Sequence, residues 1–512
     1  MEPPIQHTQQ ALPSTATPTQ TSWRQIGHAW IRNCTDSESS ISYNQNVRDG
    51  HTELTVEVPF SCTLPTTQVI QRVRNAWLHS HTTHPEIAIQ ISTGTGLPQK
   101  LVFETLRTKH DVEAWLDETL AVVSDTAAQD IARMTYSRRL PTKGKRNMLY
   151  LVTAGAADPR YPDRHCLVWN FSHVLADIYS VVQFFNHFFK TVTNVPGDRD
   201  LGVDELDYSE IEGRLPLSPT TPYEERYRPS RQEKGEAHRG ALAQAELYTK
   251  KMPQSIAMYP ESDAEARSHS THCIRLQYTQ AESKALLSAL SSHKISITFA
   301  AAAATILAVK QTYGRGHETG ALLGMTRNAR RWVQTEEKHR VPNAADVVYL
   351  WVPFKPAWFS PQTSTQETIL HLAREVRKQL GPHLTSPHYI STFAFTADRV
   401  IDALRGEGEP VPSPQAPGFS PQGALPLIKH FSFTSATEDA RITAHDFVHT
   451  GRQINPSAWT GMFSLWGRVT LSMGFDGKYY DPARMEGFMA SVKRNLGSLV
   501  QGDGRAIERA RL

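Results

Sequence analysis

Between Trp23 and Val195, short apolar runs of strand length alternate with stretches whose apolar residues recur at helical spacing. Glu53–Val58, Ala88–Ser92 and Asn147–Thr153 read as strands, and Thr67–Ser80 and Val112–Leu120 as helices. His165–Phe171 is short, apolar and aromatic, the pattern of a strand buried on both faces. It runs into Ser172-His173, and Ile178–Phe189 then repeats apolar side chains at helical spacing up to Val195-Pro196-Gly197. Asp177 falls at the start of that helix, where a carboxylate suits the positive end of the helix dipole.

The pattern changes at Asp198–Ser270, where Pro216, Pro219, Pro222, Pro229, Pro253 and Pro260 and many charges predict a long connection with at most one helix, Arg231–Met252. Strand and helix runs then resume. Cys273–Tyr278 reads as a strand, and Thr279-Gln280-Ala281-Glu282 as a capping box opening a helix to Ser292. Ser296–Tyr313 is an Ala-rich helix suited to an internal position against a sheet. Strands are expected at Ala321–Met325, Val347–Pro353, Ile428–Ser435 and Gly461–Met473, and helices at Thr368–Leu380 and Pro482–Val500. Gly406–Gly423, rich in Pro and Gly, reads as a mobile surface loop.

This order predicts an α/β protein, an α+β sandwich of two lobes. Its expected parts are a disordered tail over 1–21, an N-terminal lobe over 22–197, a crossover over 198–270 and a C-terminal lobe over 271–512. A chain of 512 residues is long enough for two cores.

Composition narrows the function classes. A formal net charge of +3 spread over this length is nearly neutral, against a duplex nucleic-acid binder. The densest basic run, Arg138, Arg139, Lys143, Lys145 and Arg146, reads as a solvated loop or a phosphate contact for an anionic co-substrate. Four dispersed cysteines without a Cys-x-x-Cys pair fit a reducing compartment, and Cys166 inside its apolar strand reads as a small buried hydrophobe. The longest apolar run, Phe299–Val309, is too short to span a bilayer. A cytoplasmic monomer is the expectation.

His173 is the one side chain in its strand-to-helix turn that titrates near neutral pH. With 22 histidines in the chain, about one His-x-x-x-Asp pair arises by chance, so the bare pair fits a hydrogen-bonded core histidine equally well. Other templates fail: there is no Gly-x-Ser-x-Gly elbow and no phosphate-cradling Gly-x-x-x-x-Gly-Lys. Neither His79, His81 and His84 nor His269, His272 and Cys273 has the paired spacing of a structural zinc site, so no metal is expected.

Taken together, Ser172-His173-Val174-Leu175-Ala176-Asp177 resembles the HxxxD signature of the BAHD and condensation-type acyltransferases. Later segments agree in order. Gly324-Met325-Thr326-Arg327-Asn328 resembles the family's strand and Asp-x-Arg stretch, and Pro342-Asn343-Ala344 its strand lead-in. Phe431–Ser435 resembles a strand reaching the active site from the second lobe, and Leu471–Asp476 the terminal strand. The likeness extends to fungal trichothecene 15-O-acetyltransferase-like proteins. One departure is plain: where the family carries Asp-Phe-Gly-Trp-Gly, Asp446-Phe447 is followed by Val448-His449. Ser172 stands where peptide-forming condensation domains have a second histidine, which favours a discrete ester-forming enzyme.

The resemblance implies two chloramphenicol-acetyltransferase-like lobes with the active-site channel between them. It implies an O-acyltransferase with acyl-CoA as co-substrate, no tightly bound cofactor, and a hydroxylated secondary metabolite, terpenoid or polyketide, as acceptor. His173 would be the general base and Asp177 a structural orienter held by an arginine. Thr434 and Ser435 are candidates for the oxyanion or substrate contact, and Arg327 for a CoA or structural contact. Rival readings are transfer from a carrier-protein thioester and a non-catalytic binding protein of the same fold.

Overall fold

The computed structural model describes residues 22–156, 158, 161–333, 341–406, 413–433 and 441–509; the tail expected over 1–21 lies outside them. Two sheets of seven strands each dominate, with a smaller sheet of four. In the first large sheet Leu54–Cys62 and Arg164–Phe171 pair antiparallel along their whole length, Leu54 opposite Phe171. Met148–Val152 and Leu120–Val123 extend it on one side.

The other side is completed from far along the chain. Arg441–Ala444 and Val448–Gly451 both pair with Leu54–Cys62, and His430–Ser432 pairs with Arg441–Ala444. Of the Ile428–Ser435 strand expected to serve the second lobe, His430–Ser432 is described as strand and hydrogen bonds in the first sheet, and Thr434 and Ser435 lie outside the described residues. The cause is the edge of Leu54–Cys62, which needs backbone partners that no neighbouring segment supplies.

The second large sheet runs Thr271–Gln277, Arg468–Asp476, Trp459–Leu465, Gly418–Ala424, Gly320–Asn328, Ala345–Pro353. Two expectations are corrected here. Gly461–Met473 is not one strand but a hairpin, with Trp466 (φ +48°) and Gly467 (φ +77°) turning between its arms. Two consecutive positive φ values match the twist of flanking strands, a turn that Asn-Gly ordinarily signals. Gly406–Gly423 is not all loop either. Residues 407–412 lie outside the described ones, but Gly418–Ala424 is an interior strand with a register shift between Pro421 and Gly423. A Cβ at Gly418 would run into the Trp459 ring, so this strand needs the glycine for close approach.

Helices cover the sheets. Ile178–Asn194 buries Phe184, Phe185 and Phe188 against Trp77 and Trp169, and Phe189 against Phe60 and Phe431. Each phenyl ring contributes roughly 2–3 kcal/mol on burial. Ile297–Tyr313 is the internal helix its composition suggests: Ala300 to Ala304 are fully buried under Thr365–Leu380 and Pro482–Arg509. The crossover holds more helix than expected, with Ile211–Arg214 and Thr220–Tyr227 preceding Arg231–Lys251. Among the described residues no single helix is long and apolar enough to cross a membrane.

Candidate active site

Arg164–Phe171 delivers Ser172 and His173 to the C-terminal end of the first sheet, and Asp177 caps the following helix. The loop between them is fixed residue by residue. Ser172 Oγ donates to Gln45 Oε1 at 2.6 Å and accepts from the Val174 N–H at 3.2 Å. Asn343 Nδ2 donates to the His173 carbonyl at 2.6 Å, while its Oδ1 accepts from the Ala345 N–H at 3.1 Å. The second half of the chain thus holds the backbone of His173 itself.

Both Asp177 carboxylate oxygens are taken up by partners other than the His173 ring. Its Oδ1 accepts from the N–H groups of Tyr179 at 3.0 Å and Ser180 at 3.2 Å, a standard helix cap. Its Oδ2 receives Arg330 Nη1 at 2.6 Å and the Ala344 N–H at 3.1 Å. Arg330 Nη2 also donates to the carbonyls of Val341 and Pro342, at 3.0 and 2.8 Å. Burial would raise the Asp177 pKa; the Arg330 charge and these donors overcome it and hold the carboxyl below its ordinary range. The arginine that meets Asp177, which the sequence left open, is Arg330, two residues after Asn328. Asn328 Oδ1 accepts the Arg330 N–H at 2.9 Å.

His173 lines an open cavity of about 320 Å³ between the two large sheets, with Leu54 and Ile178 on its own side and Thr326, Trp459 and Ser472 opposite. Burial pushes the imidazole pKa below its ordinary value, against the opposing pull of Asp177 and of backbone hydrogen bonds at His173 and Ala176. The shift favours the neutral ring at neutral pH. Val347 also lines a second, mostly apolar groove of about 670 Å³ that runs beneath helix Arg231–Lys251.

Similarity to known proteins agrees with this arrangement. No protein-family model matches the chain. The acyl-CoA-dependent acyltransferase MAC1 of Pseudozyma antarctica (strain T-34) is 32% identical to it, over 91% of this chain and 94% of that protein. MAC1 of Mycosarcoma maydis is also 32% identical, over 90% of this chain and 87% of its own length. The chain belongs to the acyl-CoA-dependent acyltransferases.

Among solved structures, the trichothecene 15-O-acetyltransferase TRI3 of Fusarium sporotrichioides superposes with a TM-score of 0.79 at 15% identity, covering 95% of this chain and all of that one (100%). The first condensation domain of the calcium-dependent antibiotic synthetase superposes with a TM-score of 0.61 at 11% identity, over 92% of this chain and 96% of that domain. These likenesses bear out the two-lobe chloramphenicol-acetyltransferase-like fold. The enzyme is an acyltransferase of the BAHD and condensation type with acyl-CoA as co-substrate.

The remaining candidates of the acyltransferase fall in different places. Arg327 forms an ion pair with Asp346, lies 3.7 Å from the Tyr389 ring centroid and lines the apolar groove, not the His173 cavity. Thr434 and Ser435 lie outside the described residues. Of the basic run, Arg139 is committed to Asn46 at 2.5 Å, with Glu53 at 3.6 Å, and Arg146 to Glu118 at 2.8 Å. Asp446, at the head of the divergent Asp-Phe-Val-His stretch, makes a two-pronged ion pair with Arg275, both contacts at 2.7 Å. Arg275 sits in the second large sheet and Asp446 just beyond Arg441–Ala444 of the first, so this pair ties the two sheets together. Among the described residues no group of three or more His, Cys, Asp or Glu is placed to hold a metal ion.

Proposed function

We propose that the enzyme moves an acetyl or other acyl group from acyl-CoA to a hydroxyl of a secondary metabolite, a terpenoid or polyketide, with His173 as general base. The acceptor hydroxyl gives its proton to His173 as its oxygen bonds to the thioester carbonyl carbon. The C–S bond then breaks, and the proton passes to the departing CoA thiolate. Each substrate meets the other directly, so no acyl-enzyme forms. Asn343 Nδ2 lies 3.4 Å from His173 Nδ1, which makes Nε2 the nitrogen for the hydroxyl in this reading.

The single observation that carries this reading is the His173 side chain lining a cavity between the sheets, its pKa held low. A ring that is neutral at neutral pH and opens onto a substrate-sized cavity suits proton abstraction from an alcohol. Asp177 orients the loop through Arg330 and does not touch substrate. The groove beneath helix Arg231–Lys251 shares Val347 with the cavity, which places a second substrate-sized space beside the His173 cavity. All four cysteines are free, which supports a reducing, cytoplasmic setting. The likeness to a trichothecene acetyltransferase supports a hydroxylated terpenoid-like acceptor.

Free-thiol release from purified acyl-CoA across a panel of hydroxylated terpenoids and polyketides tests the reading. Acceptor-dependent CoA release supports it. Release only when the acyl group arrives on a carrier protein, or no release with any acceptor, contradicts it.

A further inference from the structure

His173 sits between two residues that one hydroxyl ties together. Ser172 Oγ accepts the Val174 N–H at 3.2 Å, and the Leu175 N–H reaches the Ser172 carbonyl at 3.0 Å, so the backbone turns tightly through His173. A serine hydroxyl has one proton to give and otherwise swings freely about its bond. Here that proton goes to Gln45 Oε1 at 2.6 Å, which leaves a lone pair of Oγ for the Val174 N–H. The hydroxyl of the base loop is therefore oriented from helix Asp36–Val47, by a residue 127 positions earlier in the chain.

The Ser172 N–H is fixed as well. It donates to Asn147 Oδ1 at 3.3 Å, and Asn147 Nδ2 lies 3.4 Å from each of the Glu86 and Ile87 carbonyls. Gln45, Asn147 and Ser172 are all buried, so bulk water does not compete for these contacts.

Packing alone does not account for an amide at position 45. Gln45 Nε2 is enclosed with no hydrogen-bond partner among the described residues, and burying an unpaired donor costs stability. An apolar side chain of similar length would fill the space without that cost. What the amide alone supplies is the oxygen that holds Ser172. Neither Gln45 nor Ser172 lines the His173 cavity, so neither meets a substrate there.

Resting on the reading of His173 as general base, we propose that Gln45 is a positioning residue that holds the base loop, through Ser172, in the geometry proton abstraction requires. Gln45 and Ser172 act as one unit, and neither takes part in bond making.

The test pairs Gln45→Met, which keeps the length and removes the oxygen, with Ser172→Ala, which removes the hydroxyl at the other end. With acetyl-CoA as donor and a saturating hydroxylated acceptor, each lowers kcat about tenfold or more, leaves KM for acetyl-CoA nearly unchanged and keeps a native circular dichroism spectrum. The double variant falls no further than the lower single, because both changes remove the same link. Gln45→Leu replaces Gln45→Met if the latter does not fold. Wild-type kcat in either folded single variant, effects that multiply in the double variant, or a raised KM for acetyl-CoA with kcat intact overturns the proposal. If the wild type releases no acceptor-dependent CoA, or His173→Ala releases it normally, the general-base reading fails, and NMR of protein carrying isotope-labelled histidine decides the lock separately. The His173 signal, assigned by its loss in His173→Ala, shifts or broadens in Gln45→Met if the lock holds; a signal unchanged in Gln45→Met overturns it.

Discussion

Arg330 and Asp177, 153 residues apart in the chain, meet at 2.6 Å as a buried ion pair that closes the His173 loop against the second half of the molecule. Removing one partner of such a pair leaves an uncompensated buried charge, which costs about 3–5 kcal/mol. Arg330→Met is expected to lower unfolding free energy by about that amount in urea titration. Asp177→Asn keeps an oxygen for the cap donors and is expected to cost less. A double variant no worse than Arg330→Met alone would show the two acting as a unit.

Asn343 tests positioning of the base without touching its charge. Its amide holds the His173 carbonyl at 2.6 Å and is anchored by the Ala345 N–H. Asn343→Ala is expected to lower kcat about tenfold to a hundredfold while leaving KM for acyl-CoA nearly unchanged, since small misplacements of a reacting group carry penalties of that size. Steady-state kinetics with saturating acceptor reads the split.

With His173 as the proposed base, the pH dependence of turnover is expected to follow its ring. Its pKa is shifted below the ordinary histidine value of about 6.5, so the base form persists into mild acid. The acid limb of kcat/KM against pH is expected to fall with an apparent pKa below about 6.5, with a plateau above it. An acid limb centred above 7 would contradict the buried, unprotonated ring.

Much of this fold was legible because apolar runs and caps are local signals. The Thr279 capping box and the Ala-rich helix behind Ser296 stand where expected, with Thr279 Oγ1 accepting the Glu282 N–H at 3.2 Å. Strand Arg164–Phe171, the helix after it and the His173–Asp177 turn were likewise readable. What escaped was non-local or atypical. Nothing in Val448–Gly451 announces that it pairs with Leu54–Cys62, because the pairing depends on an edge some 400 residues earlier. Gly418–Ala424 looks like loop because Pro421 and Gly423 flank a register shift, and Trp466-Gly467 is an unusual hairpin turn. Helix Asp36–Val47 was missed because its buried face is polar, with Glu38 accepting two hydrogen bonds of 2.6 Å from Arg32. Arg330 and Asn343 escaped for the same reason as the strands: their role is a contact across the chain.

Glu57 offers a stability test of the join between the sheets. Burial raises its pKa to about 7, with Arg275 opposing and Asp446 reinforcing the shift. Its unfolded value is about 4.3, so the folded state binds more protons between those values. Its contribution to stability is full below pH 4.3 and is lost as pH rises through about 7. Glu57→Gln is therefore expected to raise the melting temperature at pH 8 relative to wild type, and to leave it nearly unchanged at pH 4.5. A variant less stable at pH 8 would place the ionised carboxylate in a favourable pairing with Arg275.

The most direct measurement is the single-turnover rate of CoA release by His173→Ala, with folding checked by circular dichroism. General-base catalysis contributes about 10²–10⁴-fold, so acceptor-dependent release should fall by at least that range while the variant stays native. A folded variant that releases CoA at the wild-type rate would remove His173 from the chemistry.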